Sequence, residues 1–182
     1  MDSRQRSWPR IWLMTDERMG DGLWEAIDRL PERAGIVVRH YSLSPEPREE
    51  LVRRVADVAG SRALTLSVAG DVQLARRCRA QLVHNPLGDQ GELPFSRAVH
   101  NIAEANGARA EEAALVFISP VYPTRSHPRS PVLGVEQAAE IALAAGTPAI
   151  ALGGVNRGNF AELESAGFYG WAGIDAWLAV RT

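Results

Sequence analysis

The stretch ALVFISPVYPTRSHPRSPVLGVEQAAEIALAAGTPAIALGG, residues 114–154, contains the pattern that decides the fold. It begins with the apolar run ALVFISP (114–120), which is typical of a buried strand. GVEQAAEIALAAG (134–146) then repeats apolar residues at helical spacing and stops at a glycine. TPAIALGG (147–154) is a second apolar run. A strand, a helix and another strand in succession predict two parallel strands joined by a crossover helix.

The same alternation extends along the chain and makes roughly eight strand–helix units. We therefore predict an α/β fold, a compact (β/α)₈ TIM barrel with short helices, as a single domain over residues 1–182. An open doubly wound sheet is the alternative, because such barrels typically contain about 250 residues. The predicted strands are 11–15, 35–43, 63–68, 81–85, 93–100, 114–120, 147–154 and 167–173, and the predicted helices are 21–30, 47–60, 71–80, 101–110, 134–146, 157–167 and 174–180.

Composition excludes several classes of protein. With 46% hydrophobic residues, 23% charged residues and a net charge of −2, the chain is an ordinary globular protein with no sign of a nucleic-acid partner. No lysine occurs, so a lysine Schiff base or phosphate-binding lysine is excluded. Cys78 is the single cysteine, which favours a reduced, cytoplasmic setting. We expect no signal peptide and no membrane contact, because no apolar run approaches the ~18 residues of a membrane span.

Polar residues gather where the predicted strands end. In a (β/α)₈ barrel the C-terminal ends of the strands carry the chemistry. The loop after residue 120 is also stiffened by prolines, each of which restricts the backbone. The candidate site residues are Arg39 and His40 after strand 2, Asp71 after strand 3, Asp89 after strand 4, His100 after strand 5, Thr124, Arg125, Ser126 and His127 after strand 6, Gly153 and Gly154 after strand 7, and Asp175 after strand 8.

Two long stretches, FISPVYPTRSHPRSPVLG (117–134) and AIALGGVNRGNFAELESAGFYGWAGIDA (149–176), resemble the thiamine-phosphate synthase and thiazole tautomerase superfamily. The family's strand-6 loop reads roughly G/S-P-V-F-P-T-x-T/S-K, and its strand 7 reads A-I-G-G-I. IWLMTD (11–16) and AVHNIAEA (98–105) match weaker family patterns. The resemblance covers nearly the whole chain in order, and it also implies a TIM barrel.

The resemblance implies a transferase that joins an aminopyrimidine methyl diphosphate to a thiazole phosphate and releases pyrophosphate with Mg²⁺. Small phosphorylated heterocycles would then be its partners. It assigns pyrophosphate contacts to Arg39 and Thr124, with Ser126 assisting from the same loop. Gly153 and Gly154 would offer backbone N–H groups to the thiazole phosphate, since a backbone without side chains allows close approach.

Several positions depart from the family pattern. The family lysine of the strand-6 loop is His127 here, a base that titrates near neutrality. Asp71 stands one residue late for the family's strand-3 metal motif, whereas Asp89 keeps the spacing of a family metal ligand. Asp175 replaces a phosphate-binding serine, and a carboxylate there would repel a phosphate.

Three functions therefore stay open. The first is a thiamine-phosphate synthase, and the second is a tautomerase-like enzyme in which His127 or His100 moves a proton without a metal. The third is a non-catalytic module that binds a thiamine-related ligand. Simpler roles compete for several residues, because Asp71 is suited to capping a helix, Asp175 to a rim or cap position, and His100 to a structural hydrogen bond. A homodimer is possible.

Overall fold

A computed structural model describes residues 7–125 and 131–178. Eight strands close into a barrel in sequence order, and every neighbouring pair is parallel. The predicted barrel is confirmed, and the open sheet is wrong. The strands are β1 Ile11–Met14, β2 Gly35–Val38, β3 Thr65–Ala69, β4 Leu82–His84, β5 Phe95–Val99, β6 Leu115–Ile118, β7 Ala149–Ala151 and β8 Gly170–Gly173. The helices are α1 Gly22–Asp28, α2 Pro45–Ser61, α3 Val72–Arg77, α4 Ile102–Ala110, α5 Gly134–Ala145 and α6 Phe160–Ser165, and 3-10 turns occupy Glu17–Met19 and Asp175–Trp177.

Short elements explain how a barrel fits into this chain. The strands have only three to five residues, and α3 and α6 have six each. The expected strand 35–43 stops at Val38, where the next N–H, that of Arg39, donates to the hydroxyl of Thr15 at 3.0 Å. The expected last helix, 174–180, is within the described residues only a 3-10 turn.

Trp12 fills the part of the barrel interior that lies away from the C-terminal mouth. Its side chain is fully buried, meets the Phe117 ring edge-to-face at 5.5 Å, and donates from Nε1 to the carbonyl of Pro9 at 2.7 Å. Gly35 pairs with Trp12 in the register, and a Cβ at Gly35 would lie 2.2 Å from the indole. The glycine therefore makes the space that the indole occupies. Because side chains alternate along a strand, Met14 lies one layer above Trp12, towards the C-terminal mouth.

Polar side chains form hydrogen bonds with backbone groups at the ends of several helices. Asp71 caps α3 by accepting from the N–H of Leu74 at 2.8 Å, and Asn101 caps α4 in the same way. Arg62 donates at 2.6 Å to the carbonyl of Ile27, in the last turn of α1, and at 2.6 Å to that of Leu30, just beyond the helix. Among the described residues, none of the helices has the length and apolar character that a bilayer crossing requires.

Candidate active site

A cavity of about 640 Å³ opens at the C-terminal ends of the strands. Apolar residues contributed by the barrel interior, among them Met14, Phe117 and Leu152, form part of its wall. The cavity brings together seven of the predicted site residues from five separate loops: Arg39, His100, Thr124, Arg125, Gly153, Gly154 and Asp175. Ser126 and His127 lie outside the described residues.

Arg39 supplies an available cation to this cavity. It follows β2 directly, and its backbone N–H is held by the Thr15 hydroxyl at 3.0 Å. The half-buried guanidinium makes no hydrogen bond or ion pair with residues 7–125 or 131–178. An arginine in that state can donate two parallel hydrogen bonds to phosphate oxygens.

The neighbouring His40 is not placed in the cavity. Successive side chains point to opposite sides of an extended backbone, so the residue after Arg39 turns away from it. The Thr15 hydroxyl accepts from the Arg39 N–H and also shares a hydrogen bond with His40 Nδ1, 3.0 Å away. Burial lowers the pKa of His40 against the opposing effect of nearby Glu17. His40 is therefore buried against Thr15 and does not line the cavity.

Close packing against the strand-6 loop accounts for the glycines at positions 153 and 154. Val121 and Tyr122 donate backbone hydrogen bonds to the carbonyls of Leu152 and Gly153, so the strand-6 loop lies directly on the end of β7. A Cβ at Gly154 would lie 2.5 Å from the carbonyl oxygen of Pro123, and φ at Gly154 is +65°. Only glycine accommodates both that backbone conformation and that contact.

The turn after β7 also presents free donors. The N–H groups of Gly153, Gly154 and Val155 make no hydrogen bond within the described parts of the chain, and all three residues line the cavity. Consecutive free N–H groups of this kind bind anions, because their partial positive charges converge on one point. The phosphate-binding role that the resemblance implies for Gly153 and Gly154 stays a prediction.

An ion pair bridges the mouth of the cavity. Arg125 Nε, on the strand-6 loop, lies 3.8 Å from Asp175 Oδ2, on the turn after β8. The Arg125 side chain is 87% exposed and that of Asp175 is 32% exposed. Exposed pairs of this kind contribute at most about 1 kcal/mol to stability, because water screens them. Arg125 can therefore leave Asp175 at little cost when a ligand anion competes for it.

His100 is oriented by a carbonyl. Its Nδ1 lies 2.7 Å from the carbonyl oxygen of Ser119, and its backbone N–H donates to Glu104 Oε2 at 2.7 Å. A carbonyl only accepts, so Nδ1 carries the hydrogen. In the neutral ring Nε2 is then left as a hydrogen-bond acceptor at the cavity wall. The structural hydrogen bond and a catalytic role, which the sequence left as alternatives, are compatible in this geometry.

His84 is part of the cavity wall but stays uncharged. Its Nδ1 is 3.0 Å from the Ser96 hydroxyl, and its ring meets Phe117 edge-to-face at 5.2 Å. Burial, with smaller contributions from Arg39 and Arg97, lowers the pKa of His84 to about 3. The lower wall of the cavity therefore carries a neutral imidazole beside apolar side chains.

The two predicted metal ligands lie beside the main cavity. Asp71 and Asp89 line a second pocket of about 470 Å³, and Tyr41 borders both cavities. Asp71 Oδ1 is engaged by the N–H of Leu74, and Asp89 Oδ1 accepts from Gly91 N at 2.8 Å. The described residues contain no group of three or more His, Cys, Asp or Glu side chains placed to hold a metal. Mg²⁺ is usually bound by one or two carboxylates together with water and substrate phosphates, so Asp71 and Asp89 do not by themselves complete a magnesium site.

Some lining residues escaped the sequence analysis. Met14, Tyr41 and Ser119 were not predicted, although all three line the cavity. Met14 could have been found from the two-residue period that places it above Trp12, because both then face the barrel interior. Ser119 directly follows β6, a position that sequence reasoning could have weighed. Nothing in the local sequence distinguishes Tyr41 from a surface aromatic residue.

Fold and site together define a (β/α)₈ barrel with a cavity at its C-terminal mouth, the position of active sites in such barrels. A model of the thiamine monophosphate synthase family matches residues 15–177, and the chain belongs to this family.

Relatives and solved structures agree with that assignment. The thiamine-phosphate synthase of Bacillus velezensis is 31% identical over 74% of this chain and 65% of that protein. The thiamine-phosphate synthase of Thermobifida fusca is 29% identical over 87% of this chain and 79% of that protein. The solved structure of a thiamine phosphate pyrophosphorylase from Pyrococcus furiosus superimposes with a TM-score of 0.74 at 21% identity, covering 92% of this chain and 86% of that one. At that identity the superposition shows the shared fold.

Proposed function

We propose that this chain is a thiamine-phosphate synthase-like transferase. It joins an aminopyrimidine methyl diphosphate to a thiazole phosphate and releases pyrophosphate. The observation that carries the proposal is one cavity lined both by the Arg39 guanidinium and by the N–H groups of Gly153, Gly154 and Val155, none of which has a partner among the described residues. A reaction that brings a diphosphate and a phosphate to one site needs two such groups of donors.

The chemistry requires charge stabilisation more than proton transfer. The bond between the pyrimidine methylene carbon and the diphosphate oxygen breaks, and its electrons leave with the pyrophosphate. The lone pair of the thiazole nitrogen then forms the new carbon–nitrogen bond. Arg39 donates to the departing oxygens, and preorganised donors of this kind stabilise charge as it develops. Thr124 lines the same cavity and is assigned to the same anion.

The apolar part of the cavity suits the aromatic ring of the donor substrate. Met14 and Phe117 line the cavity together with the neutral His84. A flat, weakly polar ring can displace water from such a surface favourably. In the synthase reaction Mg²⁺ would neutralise part of the diphosphate charge. Because the described donor set does not fit a preformed magnesium site, the steps assigned here belong to Arg39 and the backbone donors.

The proposal is tested by direct assay with matched arginine variants. Purified protein is incubated with both substrates and Mg²⁺, and thiamine phosphate and pyrophosphate are quantified. Arg39→Ala should weaken diphosphate binding by about a hundredfold, the loss expected for a charge-assisted bidentate contact. Arg39→Lys should recover only part of the affinity, since a lysine ammonium cannot donate the two parallel hydrogen bonds of a guanidinium. Arg53→Ala is the control, because Arg53 is exposed on α2 and pairs with Glu49 away from the cavity.

Two results would contradict the proposal. Absence of product at high enzyme concentration removes the synthase assignment. Equal diphosphate affinity in the Arg39→Ala and Arg53→Ala variants removes the assigned role of Arg39. Retention of the unfolding midpoint in Arg39→Ala separates a loss of binding from a loss of folding.

A proton-transfer reaction of the tautomerase type is a second candidate, favoured by His100. The Ser119 carbonyl holds its Nδ1–H, which leaves Nε2 able to accept a proton from a ligand in the cavity. This function predicts metal-independent tautomerisation of a thiazole ligand. Turnover that survives both His100→Ala and His127→Ala would exclude it.

The setting of the reaction is part of the proposal. We place the protein in the cytoplasm, on the basis of its single cysteine. Its ligands would be small phosphorylated heterocycles. A homodimer and a single domain over all 182 residues stay predictions, and size-exclusion chromatography with light scattering tests the first.

A further inference from the structure

A second arginine, Arg48, contacts the main chain of Arg39. It lies in the first turn of α2, and its Nη2 donates to the carbonyl of Arg39 at 3.3 Å and to that of Ala69 at 2.6 Å. Arg48 therefore links the ends of β2 and β3 at the barrel mouth. The Thr15 hydroxyl already accepts from the N–H of Arg39, so the main chain of Arg39 is held at both its N–H and its carbonyl.

The positive charge of Arg48 has no carboxylate partner among the described residues. Glu49, the next residue, pairs with two other arginines, and Asp71 and Asp89 line the same pocket as Arg48 without forming an ion pair with it. The guanidinium contacts backbone carbonyls and the ring of Tyr41 instead, with Cζ 5.5 Å from the ring centroid. Its charge is therefore held by dipoles and keeps its attraction for an anion.

Two arginines without carboxylate partners thus lie near each other. Both Arg39 and Arg48 are half-buried, and Nε of Arg48 is buried with no hydrogen-bond partner in the described ranges. Burial lowers the pKa of His40 against the effect of nearby carboxylates, and the charges of Arg48 and Arg39 lower it further, so both charges act on the same place. Holding two like charges there costs free energy, and a bound anion offsets that cost.

Arg48 is placed to act on a ligand of the main cavity without touching it. Arg39 lines the main cavity, Arg48 lines the second pocket, and Tyr41 borders both. The charge of Arg48 therefore lies behind the cavity wall formed by Arg39 and Tyr41. From that position it acts through its electric field and through the Arg39 carbonyl that it holds.

We propose that Arg48 is a positioning residue of the diphosphate site, which fixes the main chain of Arg39 and adds a positive charge behind it. The inference rests on the proposed transfer reaction and deepens it by naming a residue outside the cavity on which diphosphate binding depends. A diphosphate carries more negative charge than one arginine neutralises, so a second cation nearby strengthens its binding. The N–H groups assigned to the thiazole phosphate follow β7, three strands round the barrel from β2, and should depend much less on Arg48.

The test compares two anions in three Arg48 variants. Calorimetry in buffer without Mg²⁺ measures the Kd of inorganic pyrophosphate and of the thiazole phosphate, and steady-state assays measure the KM of both substrates. Arg48→Met should weaken pyrophosphate binding and raise the KM of the pyrimidine diphosphate by about tenfold, while the Kd of the thiazole phosphate changes by less than about twofold. The difference from the wild type should shrink at high ionic strength, because salt screens the charge.

Two further variants and a control separate charge from folding. Arg48→Gln keeps an amide donor for the carbonyls but no charge, and should weaken pyrophosphate binding by at least about threefold. Arg48→Lys keeps the charge and three donors, and should stay within about twofold of the wild type. Arg54→Met is the matched control, because Arg54 is exposed on the same helix, stacks on Trp24 at 4.4 Å and lines neither pocket. It should leave both Kd values unchanged.

The outcomes separate this inference from the function on which it rests. Unchanged pyrophosphate affinity in Arg48→Met or Arg48→Gln, an equal loss for both anions, or no pyrophosphate binding by the wild type would overturn it. If Arg48→Met does not fold, Arg48→Gln gives the decision. A selective loss of pyrophosphate affinity while the wild type forms no thiamine phosphate supports the role of Arg48 and contradicts the transfer reaction. Product formation with unchanged pyrophosphate affinity in the variants supports the transfer reaction and contradicts the role of Arg48.

Discussion

Acidification between pH 7.5 and 5.5 should destabilise the protein through His84. Its folded-state pKa is about 3, against an ordinary value of 6.5, because burial excludes the charged ring. Across this range the unfolded chain takes up about 0.8 of a proton at His84 and the folded chain takes up almost none, so stability falls as the pH decreases. Linkage gives a loss of about 1.4 kcal/mol in the free energy of unfolding from His84 alone. Burial also lowers the pKa of His40, which adds to the loss in the same direction.

Urea unfolding at the two pH values measures this loss, with His84→Asn as the variant. The amide retains a polar contact for Ser96 but does not titrate, so the pH dependence should shrink by about 1.4 kcal/mol. Nuclear magnetic resonance provides a second measurement, since the chain has only four histidines to assign. The His84 ring should show no titration down to pH 5. A His84 midpoint above pH 5.5, or identical pH dependence in the variant, would refute the reasoning.

Three further predictions concern the packing and the metal. Gly154→Ala should lower the free energy of unfolding by about 2–4 kcal/mol in urea, because it combines a left-handed φ with a contact to Pro123; a loss below about 0.5 kcal/mol would contradict that contact. Gly35→Ala should lower the free energy of unfolding by about 2 kcal/mol or more, because the added Cβ would clash with the indole of Trp12. The double variant with Trp12→Leu should recover part of that loss, and additive losses would show that the indole is not the obstacle. Calorimetric titration of the ligand-free protein with Mg²⁺ should give a Kd weaker than about 1 mM, and micromolar binding would reveal a preformed site.

The fold was largely predictable from local patterns. Apolar runs such as 114–120 and 147–154, separated by the helical 134–146, require parallel strands with crossovers, and enough such units close a barrel. The ends of the elements were less predictable. The strand predicted over 35–43 stops at Val38 because Thr15, a residue distant in sequence, takes the next N–H.

The candidate site was predictable as a set of positions but not as a set of contacts. Arg39, Thr124 and Asp175 all reach one cavity, as the strand ends implied. His40 was expected beside Arg39, but its side chain is buried on Thr15, because only the three-dimensional path of the chain decides which of two adjacent residues turns inward. Asp71 and Asp89 reach a neighbouring pocket where each has an oxygen engaged by the backbone.

The sequence by itself determined the order of the strands and the chemical types that gather at their C-terminal ends, because these follow from short-range periodicity and from the rules of parallel sheets. Only the tertiary structure decided which of those side chains already have hydrogen-bond or ion-pair partners within the protein. Polar contacts join residues far apart in the chain, as in the ion pair of Arg125 with Asp175 and the hydrogen bond of His100 to the Ser119 carbonyl. Arg39 lacks such a described partner, and this is why it is the residue assigned to bind the diphosphate.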